Sequence, residues 1–470
     1  MDRAGATAAI ANFVVGGAGP GVPDAAIDMA ERAVVDTVGV TLAAGREETV
    51  KAISRSYRGR LPAGPCRVLT GGLLPAGTTT QAAQAALLNG TAAHALDYDD
   101  VADSMKGHPS AVLVPTALAV GEEVGASGTA VLGAICAGFQ IECALADGLG
   151  IESHYSRGWH STSTIGTVAA AAIASRLLGS SPATTRCALG IAGSMAAGSR
   201  QNFGTMTKPL HAGLAASNGI LAAVLAGSGL TADPDQLEAP LGYFSLYGGE
   251  PFHAERLEET LWGEWAIVAR GLNVKRYPSC YDTARTADAA LWIALKLRPE
   301  QISEVSITLE PGGLRPLIHH RPQTGLEGKF SLEFVAATAL LDGKISLATF
   351  TDESVRRPAV RELISRIRIG EQRVPPLGGP EWTQSYSVVR AVDRSGAVVE
   401  CRRDDPLGHA RRPLSEAELA EKFADCLVHA GQDLDTSALF HKLRNLRSHP
   451  SVRDLGDLLA TTDYSGQGGS

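Results

Sequence analysis

The 470-residue sequence has no Cys-x-x-Cys pair and no window dense in lysine and arginine. Its seven cysteines, Cys66, Cys136, Cys143, Cys187, Cys280, Cys401 and Cys426, are odd in number and widely scattered. That spacing excludes the common zinc and dithiol motifs and reads as reduced thiols of a cytoplasmic protein. Without a concentrated positive field there is nothing to hold a phosphate backbone, so nucleic acid is not an expected partner. The opening segment is apolar from Ala4 to Val15 but has no basic flank, and glycine and proline follow it closely. It reads as a short first helix rather than a signal peptide. Further apolar runs are broken by charge or glycine short of the roughly 20 residues that cross a bilayer. No membrane span is expected.

What the chain does have is core material. Hydrophobic residues make up 44% of it, and its formal charge of −8 is spread along the length rather than gathered in a tail. Such a chain folds throughout and has room for two or three domains. From Pro23 to Ala44 the residues Ile27, Ala30, Val34, Val38 and Leu42 recur every three or four positions, one stripe of an amphipathic helix opened by proline. Similar stretches rich in Ala, Leu, Ile and Gly run over Thr80 to Ala93, Ala111 to Val124, Thr129 to Ala146, Ile165 to Leu178, Ser181 to Ser194 and His211 to Ala226. Small residues let helix axes approach closely, so these predict tightly packed, largely buried helices.

The texture changes near Gly271. Glu304 to Leu309, Leu363 to Ile369, Ser385 to Val392 and Val398 to Arg402 alternate or are β-branched, and Asp393 to Gly396 is a hairpin turn signal. Helical pattern resumes at Ser415, where Ser415 and Glu418 have capping-box spacing ahead of Leu419, Phe423 and Leu427. The expected architecture is mainly α: a large all-helical domain from residues 1–270 and 412–470, and a smaller α+β lid over 271–411. The Gly/Ser-rich tail from Asp463 is expected to be disordered.

Four short polar segments interrupt the apolar helices, and burying their charges without partners or substrate costs several kcal/mol each. The first holds His94, Asp97, Asp99 and Asp100, then His108. Its clustered carboxylates fit a metal, a capped helix end, or a substrate-facing His108 oriented by Asp97. The second, Gly158 to Thr164, places hydroxyls and His160 before an apolar helix, where free N–H groups suit a carboxylate; ordinary capping explains the hydroxyls but not the imidazole. The third, Arg200 to His211, sets Lys208 at the head of another helix, either as a carboxylate clamp or as an exposed lysine. The fourth, Lys275 to Tyr281, brings Lys275, Arg276, Cys280 and Tyr281 to the change of texture. Those groups suit a catalytic device on a closing lid, while Cys280 alone also fits a small buried hydrophobe.

In this order the segments resemble the MmgE/PrpD family, which includes 2-methylcitrate dehydratase, cis-aconitate decarboxylase and iminodisuccinate epimerase. The likeness runs from Asp36 through LNGTAAHALDYDD, GHPSAVLVPTALAVGE, GWHSTSTIGT, NFGTMTKPLHAG and KRYPSC to KFSLEF and RPLSEAEL. It implies a helical domain built from both chain ends, an α+β lid, a homodimer and no metal or organic cofactor. It also implies that Asp97, His108, His160, Lys208 and Lys275 line the active site, as they do in the decarboxylase branch. Val101 stands where that branch has threonine, Cys280 and Ala284 where histidines are found, and Ile318 where it has tyrosine. These departures point to a substrate or reaction other than that of the best-known members.

The chemistry so implied is proton transfer at a carbon beside a carboxylate of a small polycarboxylic acid. Cations and helix N-termini stabilise the developing enolate in a dry cleft. His108 and Lys275 are the expected proton-transfer groups, with His160, Lys208, Arg276 and Tyr281 binding substrate and Asp97 fixing an imidazole. A dehydratase or decarboxylase is the leading reading. An epimerase that sets Cys280 or Tyr281 opposite Lys275 is the alternative, and a non-catalytic helical binding protein is the third.

Overall fold

The computed structural model describes residues 5–16, 21–69, 72–379, 385–431 and 434–456. The expected disordered tail lies outside these residues. The chain divides into two compact units: Met1–Asn273 with Glu418–Ser470, and Val274–Ala417.

The first unit is a stack of helices: Ala6–Val15, Asp24–Ala43, Ala82–Ala95, Ser110–Val124, Gly128–Leu149, Ser161–Leu177, Pro182–Met195 and Thr207–Gly227, with Glu416–Ala430 and Thr436–Arg444 near its end. Each begins or stops for a local reason. Pro23 precedes Asp24, the Ser127 hydroxyl accepts from the Ala130 N–H at 3.2 Å, and Gly125 and Gly150 close their helices in the left-handed region. Helix Thr207–Gly227 packs along both Ala82–Ala95 and Ser161–Leu177. Glycine permits the closeness: a Cβ on Gly213 would lie 2.3 Å from the Leu87 carbonyl oxygen, and one on Gly219 would lie 2.4 Å from Ala170 Cβ. These contacts fix the helix whose first turn carries Lys208 and His211.

Beside its helices the unit carries a two-residue antiparallel ladder, Cys66–Arg67 with Thr79–Thr80. One expectation needs correction here. Apolar helices do reach bilayer length, since Gly128–Leu149 and Thr207–Gly227 are long and apolar enough to cross a membrane. Glycine and alanine keep such helices largely apolar without breaking them, and 89% of the apolar window of Gly128–Leu149 is buried within the protein.

The second unit holds a four-stranded sheet in the order Ile367–Glu371, Ile302–Leu309, Ser387–Asp393, Val398–Arg403, the first pair parallel and the others antiparallel. Helices Ala284–Ala294 and Leu332–Asp342 pack on it and on each other. Their core includes Ala287, Ile293, Val305, Ile307, Phe334, Val335 and Val389. The expected hairpin turn is present, with the Asp393 carboxylate accepting from the Ser395 and Ala397 N–H groups at 2.8 and 2.9 Å. The stretch expected as a strand from Leu363 begins as the end of a helix, Pro358–Ser365. Pro358 opens that helix and Val360 and Leu363 bury one face, so the strand starts only at Ile367.

Candidate active site

Within the helical unit, helix Ala82–Ala95 ends at His94, and the chain turns through Asp97 in the left-handed region, φ 54°. Aspartate tolerates this conformation better than most residues, at a cost of about 1–2 kcal/mol. The turn swings the Asp97 carboxylate to Lys208 Nζ, 2.7 Å away, with both side chains buried. Asp99 faces the other way and accepts from two imidazoles, His94 Nδ1 at 2.9 Å and His108 Nδ1 at 3.2 Å. His108 Nδ1 also lies 3.0 Å from the Asp100 carbonyl oxygen. Both neighbours of that nitrogen are acceptors, so Nδ1 carries the hydrogen and Nε2 is the basic nitrogen of the ring.

This corrects the expectation that Asp97 orients His108. Asp97 comes only within 3.9 Å of His108 Nε2, and the orienting groups are Asp99 and the Asp100 carbonyl. Asp99 stays ionised well below the usual carboxylate range: burial alone would raise it, but the charges and hydrogen bonds of His94 and His108 outweigh burial. His94 is held below its ordinary value, chiefly by burial, with Asp99 opposing.

His160 sits at the N-terminus of helix Ser161–Leu177, and its Nδ1 lies 3.0 Å from Nδ1 of His211. One ring donates and the other accepts, so the accepting nitrogen carries no proton. Burial, then the neighbouring His94 and Lys208, depresses both, His160 well below the usual imidazole value. The rings of His94 and His108 are 4.3 Å apart, and those of His94 and His160 are 5.9 Å apart. Phe203 meets the His160 ring edge-on at 4.9 Å and lies 5.3 Å from Lys208 Nζ. Nε2 of His94 and of His160 are both buried without a hydrogen-bond partner among the described residues. A ligand entering here meets two unoccupied imidazole nitrogens and a buried ammonium.

The Ser161–Thr164 hydroxyls do not form the anion site expected of them. Ser161 donates to the Lys106 carbonyl at 2.6 Å, Thr162 accepts from the His108 N–H at 3.0 Å, and Ser163 donates to the His211 carbonyl at 3.2 Å. Thr164 pairs with His154 Nε2 at 2.8 Å. Three of these four hydroxyls hold histidines in place, and the fourth holds the Lys106 carbonyl.

Ligand atoms of His94, Asp97, Asp99 and His108 all lie within 4.8 Å of one another, close enough for a metal ion. Here Asp97 is already neutralised by Lys208, and Asp99 already accepts two N–H groups. That donor set is balanced by protons and an ammonium, which fits an acid–base cluster.

Asp97, His108, His160 and Lys208 are thus brought together, joined by His94, Asp99, His211 and Phe203, which the sequence reading placed in its polar segments without giving them roles. His211 follows Lys208 by three residues, so helical spacing alone places both on one face. Lys275, Arg276, Cys280 and Tyr281 belong to the second unit. There Lys275 is buried, the Cys280 N–H donates to the Lys329 carbonyl at 2.9 Å, and Cys280 and Tyr281 pack against the unit's core. Arg285 stands 5.6 Å from the Tyr281 ring. Tyr277 donates to Asp288, which the sequence reading also missed.

The MmgE/PrpD N-terminal domain description matches residues 8–255, and the MmgE/PrpD C-terminal domain description matches residues 277–440. The chain belongs to the MmgE/PrpD family. Among similar proteins is the cis-aconitate decarboxylase of Homo sapiens, 32% identical over 72% of this chain and 71% of that protein. The enzyme of the same name from Mus musculus is 30% identical over 80% of each. That of Aspergillus terreus is 24% identical over 90% of this chain and 89% of its own length.

Proposed function

We propose that this protein is an MmgE/PrpD-type lyase that removes carbon dioxide or water from a small polycarboxylic acid by moving a proton at a carbon beside a carboxylate. The observation that carries this reading is the group formed by buried His94 and Asp99 with partly exposed His108, beside the Asp97–Lys208 pair. The cis-aconitate decarboxylases among its relatives support the same chemistry.

The derivation starts from the tautomer. With Nδ1 committed to Asp99 and the Asp100 carbonyl, His108 exchanges a proton with substrate through Nε2. Asp99 stabilises the imidazolium whenever His108 holds the proton, which is the service a buried carboxylate renders an acid–base histidine. Lys208 supplies positive charge for a carboxylate or an enolate in a region where water is largely excluded and charge interactions are strong. Neutral His160, carrying a free nitrogen, offers a hydrogen bond without adding charge.

The test is direct. Purified protein is mixed separately with cis-aconitate and with hydroxy-tricarboxylic acids, and product mass and carbon dioxide are followed. Loss of carbon dioxide or water from one of them is expected, and it should fall by about 10²–10⁴-fold in His108→Asn. Deuterium uptake from solvent with no loss of mass would mark an isomerase and overturn the lyase reading.

A further inference from the structure

Glu142 is a polar anomaly among the described residues of the helical unit. It sits in the middle of Gly128–Leu149 among buried apolar neighbours, is fully buried, and neither carboxyl oxygen has a hydrogen-bond partner among the described residues. A polar group left so is expensive, and natural proteins keep one only for a reason. Asp100, whose charge acts on Glu142, is also fully buried, and its carboxylate accepts the Ser110 N–H at 3.2 Å and the Ser110 hydroxyl. The main-chain oxygen of the same Asp100 receives His108 Nδ1 at 3.0 Å. One residue therefore holds the acid–base histidine through its backbone and the start of helix Ser110–Val124 through its side chain.

We propose that Asp100 and Glu142 together retain a proton behind His108, and that Asp100 is a positioning residue whose charge tunes the proton transfer. This rests on the reading of His108 as the group that moves the proton. The physical ground is that buried carboxyls close enough to repel do not all ionise. The charges of Asp36 and Asp99 act on Asp100, that of Asp100 acts on Glu142, Ser110 donates to the Asp100 carboxylate, and the His108 ring meets its carbonyl. Asp36 is matched by Lys422 and Asp99 by two imidazoles, whereas no cation matches Glu142 among the described residues. Burial, reinforced by Asp36 and Asp99 and opposed by Ser110, lifts Asp100 to about 7, and burial with Asp100 lifts Glu142 well above the carboxylate range. Near neutral pH Glu142 keeps its proton, and Asp100 is the carboxyl that titrates. As Asp100 loses its proton, a negative charge appears beside His108 and strengthens that ring's hold on its own proton.

Two measurements on the full-length protein test this. Infrared spectroscopy without substrate reads protonated carboxyls directly. A C=O stretch of a buried acid is expected at neutral pH and should vanish in Glu142→Gln, and a second should titrate near neutrality and vanish in Asp100→Asn. Absence of the first band from the wild-type protein, or its survival in Glu142→Gln, overturns the proposal whether or not a substrate has been found. With a substrate in hand, Asp100→Asn should move the His108 limb of the kcat/KM profile to lower pH, with kcat falling more than KM changes. A profile that superimposes on the wild type after correction for amplitude refutes the positioning role. If Asp100→Asn does not fold, Asp100→Ser, which keeps a capping oxygen without the charge, is read in the same way.

Discussion

Lys422 gives the sharpest quantitative test of how the site is supported. It comes from helix Glu416–Ala430, far along the chain, and its Nζ lies 2.5 Å from Asp36 Oδ1, with both side chains 1% exposed. The same ammonium donates to the Tyr98 carbonyl at 2.9 Å and stands 4.0 Å from the Tyr98 ring. Tyr98 lies between Asp97 and Asp99, so the lysine grips the loop that holds the acid–base cluster. Replacing it by methionine keeps the length of the side chain and removes the charge. A buried carboxylate is then left without its cation, a loss of about 3–5 kcal/mol, and the Tyr98 carbonyl loses a donor worth about 1 kcal/mol. Against a total stability of roughly 5–15 kcal/mol this brings the helical unit close to unfolding. The assay is urea denaturation of wild type, Lys422→Met, Asp36→Asn and the double variant. Because the neutral amide introduced by Asp36→Asn needs no cation, the double variant should be more stable than Lys422→Met by about 2 kcal/mol or more. If the two single effects simply add to within about 0.5 kcal/mol, the residues are not coupled and the reasoning fails.

Other consequences follow from the same geometry. Asp99→Asn should cost activity about as severely as His108→Asn and more than Asp97→Asn costs it through misorientation of the ring, which steady-state kinetics will rank. Gly213→Ala should be strongly destabilising, by about 2 kcal/mol or more, since the added methyl meets the Leu87 carbonyl at 2.3 Å; a melting temperature equal to wild type would refute the close-packing argument. His160 and His211 remain neutral in the folded state while unfolded histidine protonates near pH 6.5. Their contribution is thus intact above that value and is lost as pH falls below it, so His160→Gln should lessen the acid loss of stability seen in denaturation between about pH 7.5 and 5.5.

The helices were legible because an apolar stripe at every third or fourth residue has only one way to be buried, as Ile27, Ala30, Val34 and Val38 illustrate. The strand expected from Leu363 was misplaced because a short apolar run serves helix and strand alike until a residue such as Pro358 decides. Within the site, residue types pointed to His108, His160, Asp97 and Lys208, but not to their partners. Which carboxylate orients His108 depends on the left-handed turn at Asp97, and no spacing rule reports a backbone dihedral. Lys422 and Glu142 were invisible for a different reason: each looks like an ordinary helix residue until the packing shows that no solvent reaches it.

The charge balance of the cluster constrains how it can bind an anion. Lys208 cancels Asp97, His94, His160 and His211 are kept neutral, and Asp99 carries one negative charge. With His108 unprotonated, this part of the site is net negative, the more so as Asp100 ionises, and repels a polycarboxylate; protonating His108 removes one negative charge from that balance. Anionic substrate and the His108 proton therefore bind cooperatively, each favouring the other by the linkage that couples any two ligands. It follows that His108 enters the reaction carrying its proton and serves first as an acid or electrostatic partner, and that apparent KM should rise with pH as this proton is lost. A KM that is flat across the alkaline limb, with only kcat changing, would show that anion binding does not depend on His108 and would reverse the order of proton movements derived from it.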